Sequence, residues 1–286
     1  MENKNLMIDG LVLEGGAMRG MYTAGVLDTL LENEIDAKEV VGVSAGALFG
    51  PNFISKQKGR IIRYNKKYNK DKSYLGIIPL IKEGNIVSTE YAYDRVPKEL
   101  DPFDDEAFIK SDSKLFAVIT NLKTCKASYV EIKSVFEQMD TLRASASMPF
   151  VSKPVVIDGE EYLDGAISDN IPYEWMLNRG AKKVVVILTR DINYVKKPMP
   201  KLFCNKYKKK YPLFAEGMIN RHNLYAEQIE KLKVLEEKGE VFVIRPSEEI
   251  NIGRTEKDPD KLQMVYDLGI KDAKAILDKL KEYLEK

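Results

Sequence analysis

A serine stands at the centre of the pentapeptide Gly42-Val43-Ser44-Ala45-Gly46, within VVGVSAGALFG. A β-branched run precedes it and small or apolar residues follow, the pattern of a strand entering a helix through a turn with no room for side chains on either flank. Such a turn holds the hydroxyl at the carboxyl end of the strand, beside the positive end of a helix dipole. There it can serve as a nucleophile once a base takes its proton. The chain offers two candidates for that base. His222 is its one histidine, and the order Ser44, Asp164, His222 is that of the α/β-hydrolase triad. Two features count against it: only 43 residues precede Ser44, too few for the several strands that lead to an α/β-hydrolase nucleophile, and His222 lies on the flank of a helical apolar stripe of Phe214, Met218, Tyr225, Ile229 and Leu232. The other candidate is Asp164, in YLDGAISDNIP. A carboxylate within hydrogen-bond reach of a hydroxyl acts as general base when its surroundings raise its pKa towards the working range.

A third segment, EGGAMRG from Glu14 to Gly20, is a glycine turn between a strand and a helix. Its backbone N–H groups can face a developing oxyanion, aided by the helix dipole and by Arg19. It is not a P-loop, because Met21 and Tyr22 stand where Lys-Ser/Thr is required, nor a dinucleotide fingerprint, because Ala17 holds the second glycine position.

The elements that position these residues alternate. GLVLEGG reads as a buried strand, GMYTAGVLDTLLENEI as an amphipathic helix and VVGVS as the next strand, the opening of a parallel α/β sheet. KLFAVITNL and ASYVEI read as paired strands, and MDTLRASASMPF as a short helix halted near Pro149. Asp158-Gly159 turns a hairpin that delivers Asp164-Gly165 at the exit of its second arm. A helix that starts at Pro172 and ends just before Gly180 leads into the strand VVVIL, EVFVIRP is the last strand, and Lys261–Lys286 a closing helix.

A chain of 286 residues with 44% hydrophobic content buries a core of one-domain size, and a net charge of +1 gives no argument for a nucleic-acid partner. Cys125 and Cys204 match no metal-ligand spacing and no disulfide framework, which fits a reducing cytoplasm. The first ten residues lack a signal-peptide core, and no aliphatic run is long enough to span a bilayer. Two stretches are locally basic: Lys56 to Lys72, and Lys196 to Lys210, the latter with seven lysines and no acid. Each is a solvated face or, if the chemistry concerns lipids, an interfacial surface for anionic membrane through residues such as Lys206, Lys208, Lys209 and Lys210.

Taken in order, the turn Gly15–Gly20 with its arginine, the Gly42–Gly46 turn and the triplet Asp164-Gly165-Ala166 resemble the patatin-like phospholipases. The similarity runs from about Gly10 to Arg190, including ASASMPF and DNIP, and RHNLYAEQIEKL and VFVIRPS resemble bacterial members. The resemblance implies a three-layer α/β fold with a mostly parallel central sheet, in a single domain over 1–286 whose core is about 8–190 and whose C-terminal extension is about 191–286. It implies a Ser44-Asp164 dyad that cleaves lipid or other acyl esters through an acyl-enzyme, with no metal or organic cofactor. Gly15, Gly16, Ala17 and Arg19 then form the oxyanion hole. Family members carry a third glycine where this chain has Ala17. If that position needs a positive φ, alanine costs roughly 1 kcal/mol and tilts an oxyanion donor. A catalytically weak, lipid-binding regulator of the same fold is the alternative that Ala17 favours.

Overall fold

The computed structural model describes residues 6–286. β1 (Leu6–Leu13) enters a 3₁₀ turn, Ala17–Gly20, and α1 (Met21–Glu32) returns the chain to β2 (Ile35–Val43), which leads directly into α2 (Ala45–Ile54). A helical excursion follows: α3 (Arg60–Tyr68), α4 (Ile77–Glu83), a π-helical segment Tyr91–Leu100 and α5 (Asp105–Lys110). The chain then forms β3 (Lys114–Asn121), β4 (Ala127–Ile132), α6 (Met139–Ser145), the hairpin β5 (Val155–Ile157) and β6 (Glu160–Asp164), and α7 (Tyr173–Asn178). It closes with β7 (Val184–Ile187), α8 (Lys201–Lys208), α9 (Pro212–Glu237), β8 (Val241–Ile244) and α10 (Pro259–Glu285). No helix among the described residues is long and apolar enough to cross a membrane.

The eight described strands make one sheet in the order β5-β6-β3-β2-β1-β7-β8, with β4 also paired to β3. β1, β2, β3, β7 and β8 run parallel, and β4, β5 and β6 antiparallel to their neighbours. Successive residues of one strand feed different cores: Leu11 and Leu13 pack into one apolar cluster and Val12 into another, as Val185 and Ile187 do against Val184 and Val186. The sheet is therefore buried on both faces. This is the physical cause of the uninterrupted aliphatic strands and of the three-layer architecture.

The two edges of β3 bring the candidate residues together. β4 pairs with β3 from Leu115 to Thr120, overlapping in register both with β2, which pairs from Lys114 to Val118, and with β6, which pairs from Ile119 to Asn121. A strand has two edges, so β2 and β6 must follow one another along the edge opposite β4. Val118 opposes Val43 and Ile119 opposes Asp164. The parallel strand thus ends at Ser44 where the antiparallel strand ends at Asp164.

The helical excursion is not legible as elements in the sequence, because its tyrosines, prolines and short aliphatic pairs such as Ile61-Ile62 and Ile77-Ile78 follow no sustained period. The basic stretch Lys56–Lys72 is largely spent inside it. Arg60 is buried against Asn52 Oδ1 (2.9 Å) and the Asp101 carbonyl, Arg63 forms a bidentate pair with Asp101 at 2.8 Å, and Lys56 and Lys58 pair with Asp36 and Glu32. The second basic stretch divides. Lys196 turns inwards, Lys210 pairs with Glu161 at 3.0 Å, and Lys206, Lys208 and Lys209 are exposed beside the exposed Leu202 and Phe203 of α8.

Candidate active site

Ser44 occupies the turn between β2 and α2 at φ 55°, ψ −120°, a conformation that L residues adopt only under constraint. The constraint is visible on every side. Ser44 N–H donates to Ser145 Oγ at 2.9 Å, and the Ser44 carbonyl accepts from Ala47 and Leu48 N–H at 3.0 and 3.2 Å. A Cβ on Gly42 would lie 2.5 Å from Ala47 N, and one on Gly46 would lie 2.4 Å from the Leu13 carbonyl oxygen, so both flanks admit only glycine.

Ser44 Oγ donates to Asp164 Oδ2 at 2.9 Å, and Ala166 N–H donates to Asp164 Oδ1 at 2.9 Å. The aspartate backbone is fixed as well: its N–H donates to the Ser147 carbonyl at 2.9 Å, and Thr120 Oγ1 donates to its carbonyl at 2.8 Å. Both side chains are buried. Burial pushes the Asp164 carboxyl above its ordinary value. The positive charge of Arg221, the Ala166 N–H, the Ser44 hydroxyl and Lys196 pull it back. A raised carboxylate pKa combined with a hydroxyl already in hydrogen-bond contact is the geometry a general base needs.

The glycine turn lies against the serine. A Cβ on Gly15 would come within 2.8 Å of Ser44 Cβ. No protein acceptor takes the N–H of Gly15, Gly16 or Ala17 among the described residues, which leaves three donors free beside the hydroxyl. Ala17 has φ 50°, the left-handed conformation in which its Cβ is strained. Arg19 is largely buried behind the turn. Burial, followed by the like charges of Arg190 and Arg254, pushes its guanidinium down to about 10, and its Nε has no partner. His222 lies on α9 with Nδ1 3.0 Å from the Ile219 carbonyl of its own helix, and it lines neither cavity that contains Ser44.

Those cavities differ in kind. One, of about 140 Å³, is walled by apolar side chains such as Leu48, Phe49, Leu75, Val87, Val96 and Leu142. The other, of about 100 Å³, is lined by Arg19, Arg190, Lys196, Arg221 and Arg254. Ser44, Ala17, Met148 and Arg254 belong to both. Burial and the neighbouring Arg221 hold the Lys196 ammonium well below its usual pKa. Of the five cations, the sequence assigns only Arg19 to the site. Ser145 lies in the ASASMPF segment, whereas Arg190, Arg221 and Arg254 carry no local signal and Lys196 reads as part of a basic surface run.

A three-layer α/β fold in which the parallel strand β2 ends at a strained serine and the antiparallel strand β6 at a buried aspartate fits one class: the chain belongs to the patatin-like phospholipase family, whose model matches residues 11–176. A domain of unknown function matches residues 211–285. The chain is 30% identical over 182 residues to the uncharacterized protein YjjU of Escherichia coli strain K12, covering 63% of this chain and 51% of that one. It is 26% identical over 194 residues to the probable lipid hydrolase 463L of Invertebrate iridescent virus 6, covering 60% of this chain and 64% of that one. A match of 26% over 180 residues to the neuropathy target esterase sws of Drosophila melanogaster covers 62% of this chain and 12% of the other. The matched region thus spans less than two thirds of each of these relatives. VipD from Legionella pneumophila has the same fold, with a TM-score of 0.50 at 13% identity over 95% of this chain and 67% of that one.

Proposed function

We propose that the chain is a serine hydrolase of lipid acyl esters, working through Ser44 and Asp164 as a dyad. The observation that carries this reading is the 2.9 Å hydrogen bond from Ser44 Oγ to a buried carboxylate of raised pKa, beside an apolar cavity and three unpaired backbone donors. The ester carbonyl is placed over Ser44. Oγ attacks the carbonyl carbon as its proton passes to Asp164 Oδ2, and the oxyanion is held by the N–H groups of Gly15, Gly16 and Ala17, with Arg19 adding positive charge behind the turn. Collapse expels the alcohol, which takes the proton from Asp164. Water then repeats the sequence on the acyl-enzyme, Asp164 acting as base, and releases the fatty acid.

The lipid reading draws support from the family and from the relatives named lipid hydrolase and esterase, and the apolar cavity suits an acyl chain. The described residues are taken to act as one unit, because β8 extends the sheet and α10 packs on α1, where Tyr266 OH donates to Asp28 at 2.7 Å. A cytoplasmic location with peripheral contact at anionic membrane, through Lys206, Lys208 and Lys209 beside Leu202 and Phe203, belongs to the same proposal. Replacing these three lysines by glutamine should weaken binding to anionic vesicles.

The left-handed Ala17 favours a second reading, a lipid-binding regulator with little turnover. One experiment separates the two. A fluorophosphonate probe labels Ser44 in a hydrolase, Ser44→Ala abolishes labelling, and His222→Gln keeps turnover within about tenfold of wild type. An unlabelled, folded wild-type protein supports the regulator, and His222→Gln as inactive as Ser44→Ala defeats the dyad.

A further inference from the structure

The acyl-ester reading accounts for one of the two cavities at Ser44. The other gathers five cations, Arg19, Arg190, Lys196, Arg221 and Arg254, against two carboxylates, a formal surplus of three positive charges. Neither carboxylate pairs directly with any of them, and the two negative charges reach Arg19, Lys196 and Arg221 only through space. Asp164 accepts from Ser44 Oγ and Ala166 N–H, and Glu14 accepts from the Thr189 N–H and hydroxyl at 2.6 and 3.0 Å. None of the five forms a side-chain ion pair among the described residues.

Neutral groups hold the cations in place instead. Lys196 Nζ donates to Asn170 Oδ1 at 2.6 Å and sits 4.2 Å from the Tyr225 ring centroid. Arg221 Nε donates to the Ala166 carbonyl and approaches Asn170 Oδ1 at 3.3 Å, and Arg190 stacks on Tyr194 at 4.0 Å. Two buried donors remain unsatisfied: Arg19 Nε, and the Nδ2 of Asn170, a residue that lines the cavity and is 2% exposed. Buried donors without acceptors and like charges without counterions are each unfavourable. Both are relieved by the same event, the arrival of an anion with several oxygens.

We propose that this cavity binds the phosphate monoester of the substrate, making the chain selective for acyl esters that carry a terminal dianionic phosphate over those with a zwitterionic headgroup. The inference rests on the Ser44–Asp164 reading and names the substrate class of that site. Phosphate fits better than carboxylate, because its oxygens accept from several directions and match guanidinium forks, whereas a carboxylate presents two in one plane. A choline or ethanolamine group would set another cation among five, with no free carboxylate. The Tyr194 and Tyr225 rings, which might otherwise receive it, are already covered by Arg190 and Lys196. Because Ser44, Ala17, Met148 and Arg254 line both cavities, a short spacer such as glycerol suffices between phosphate and scissile ester.

The test is calorimetric titration of the full chain carrying Ser44→Ala, which measures binding whether or not Ser44 is the nucleophile. The titrants are octanoylglycerol 3-phosphate, octanoylglycerophosphocholine, glycerol 3-phosphate and inorganic phosphate. The phosphate monoester lipid should bind at least tenfold more tightly than the choline lipid, with glycerol 3-phosphate between it and inorganic phosphate. Arg254→Gln, at an exposed position, and Arg190→Gln, at a half-exposed one, should each weaken the monoester lipid at least fivefold, whereas Lys279→Gln, exposed on α10 and away from both cavities, should not. Equal affinity for the two lipids, or no loss in either arginine variant, overturns the proposal. Inorganic phosphate binding as tightly as the lipid would make the cavity a free-phosphate site and overturn it equally. Failure of the catalytic reading would appear separately, as absence of phosphonate labelling in the wild-type protein.

Discussion

The two cavities that meet at Ser44 are assembled in opposite ways. Most of the apolar wall comes from one interval of chain: Leu48 and Phe49 on α2, Tyr64 on α3, Leu75 and Val87 on either side of α4, and Val96 in the π-helical segment. The cations come from widely separated points, with Arg19 following β1, Arg190 following β7, Arg221 on α9 and Arg254 beyond β8. Parallel strands explain the second case, since their carboxyl ends all open on one side of the sheet and the loops leaving them converge there. A local helical excursion therefore shapes the apolar cavity, while the sheet topology sets the charge on the other side of Ser44.

The strongest challenge to this division is to silence both cavities at once. Under the proposed dyad, in which the two groups serve one step, Ser44→Ala and Asp164→Asn should each lower turnover by several powers of ten on any ester, long or short, and the double variant should be little worse. Steady-state kinetics on a neutral short ester and on a lipid check this, and additive losses would separate the roles of the pair. Asp164→Asn has a second expected outcome. Folding raises the Asp164 pKa, so the native state holds that proton more tightly than the unfolded chain. Stability is therefore lost as pH rises from the ordinary carboxylate value through the raised native one, and above that window the full cost of the buried charge is present. The asparagine variant should match or exceed the wild-type Tm at pH 7.5, with the gap closing at lower pH. A lower Tm at pH 7.5 would mean that the carboxylate stabilises the fold.

A smaller change should fall on the apolar cavity alone. Leu48→Trp fills space beside Ser44, and each methylene that loses its apolar contact forfeits ~0.8 kcal/mol, about fourfold in kcat/KM. An ester panel should show kcat/KM no longer rising with acyl length, while a two-carbon acyl ester reacts normally. Equal loss at every length would place the chain elsewhere.

The cationic side should report through pH. Arg221 is the largest favourable charge acting on Asp164, so Arg221→Gln should raise the carboxyl pKa further and move the acidic limb of kcat/KM to higher pH. An unmoved limb would detach the cation cavity from the base. The smallest effect concerns the turn between the cavities. Ala17→Gly removes a left-handed alanine and should stabilise the fold by about 1 kcal/mol, roughly 2 °C in Tm, with turnover equal to or above wild type. Calorimetry showing no gain would mean that the turn relaxes around alanine at no cost.

Much of this was legible in the residues themselves. Gly42, Ser44 and Gly46 announce a strained turn because only glycine tolerates backbone at 2.5 Å, and that demand is local. The strands β1, β2, β3 and β7 announce themselves through the runs Leu11–Leu13, Val40–Val43, Leu115–Ile119 and Val184–Ile187, where burial on both faces excludes polar residues from either register, and the Asp158-Gly159 turn fixes where Asp164 emerges. The meeting of Ser44 with Asp164 is another matter. It depends on β2 and β6 sharing one edge of β3, a pairing between segments 120 residues apart that no local pattern encodes. Lys196 makes the same point from the other side. In sequence it begins a run of lysines that reads as a solvated face, and in the structure it lies against Asn170 and Tyr225, lining the same cavity as the serine. Sequence determined which backbone positions had to be small and which strands had to be dry, because those are short-range steric and solvation constraints. Tertiary structure decided which charges face one another, because charge acts through space and only the folded sheet sets those distances.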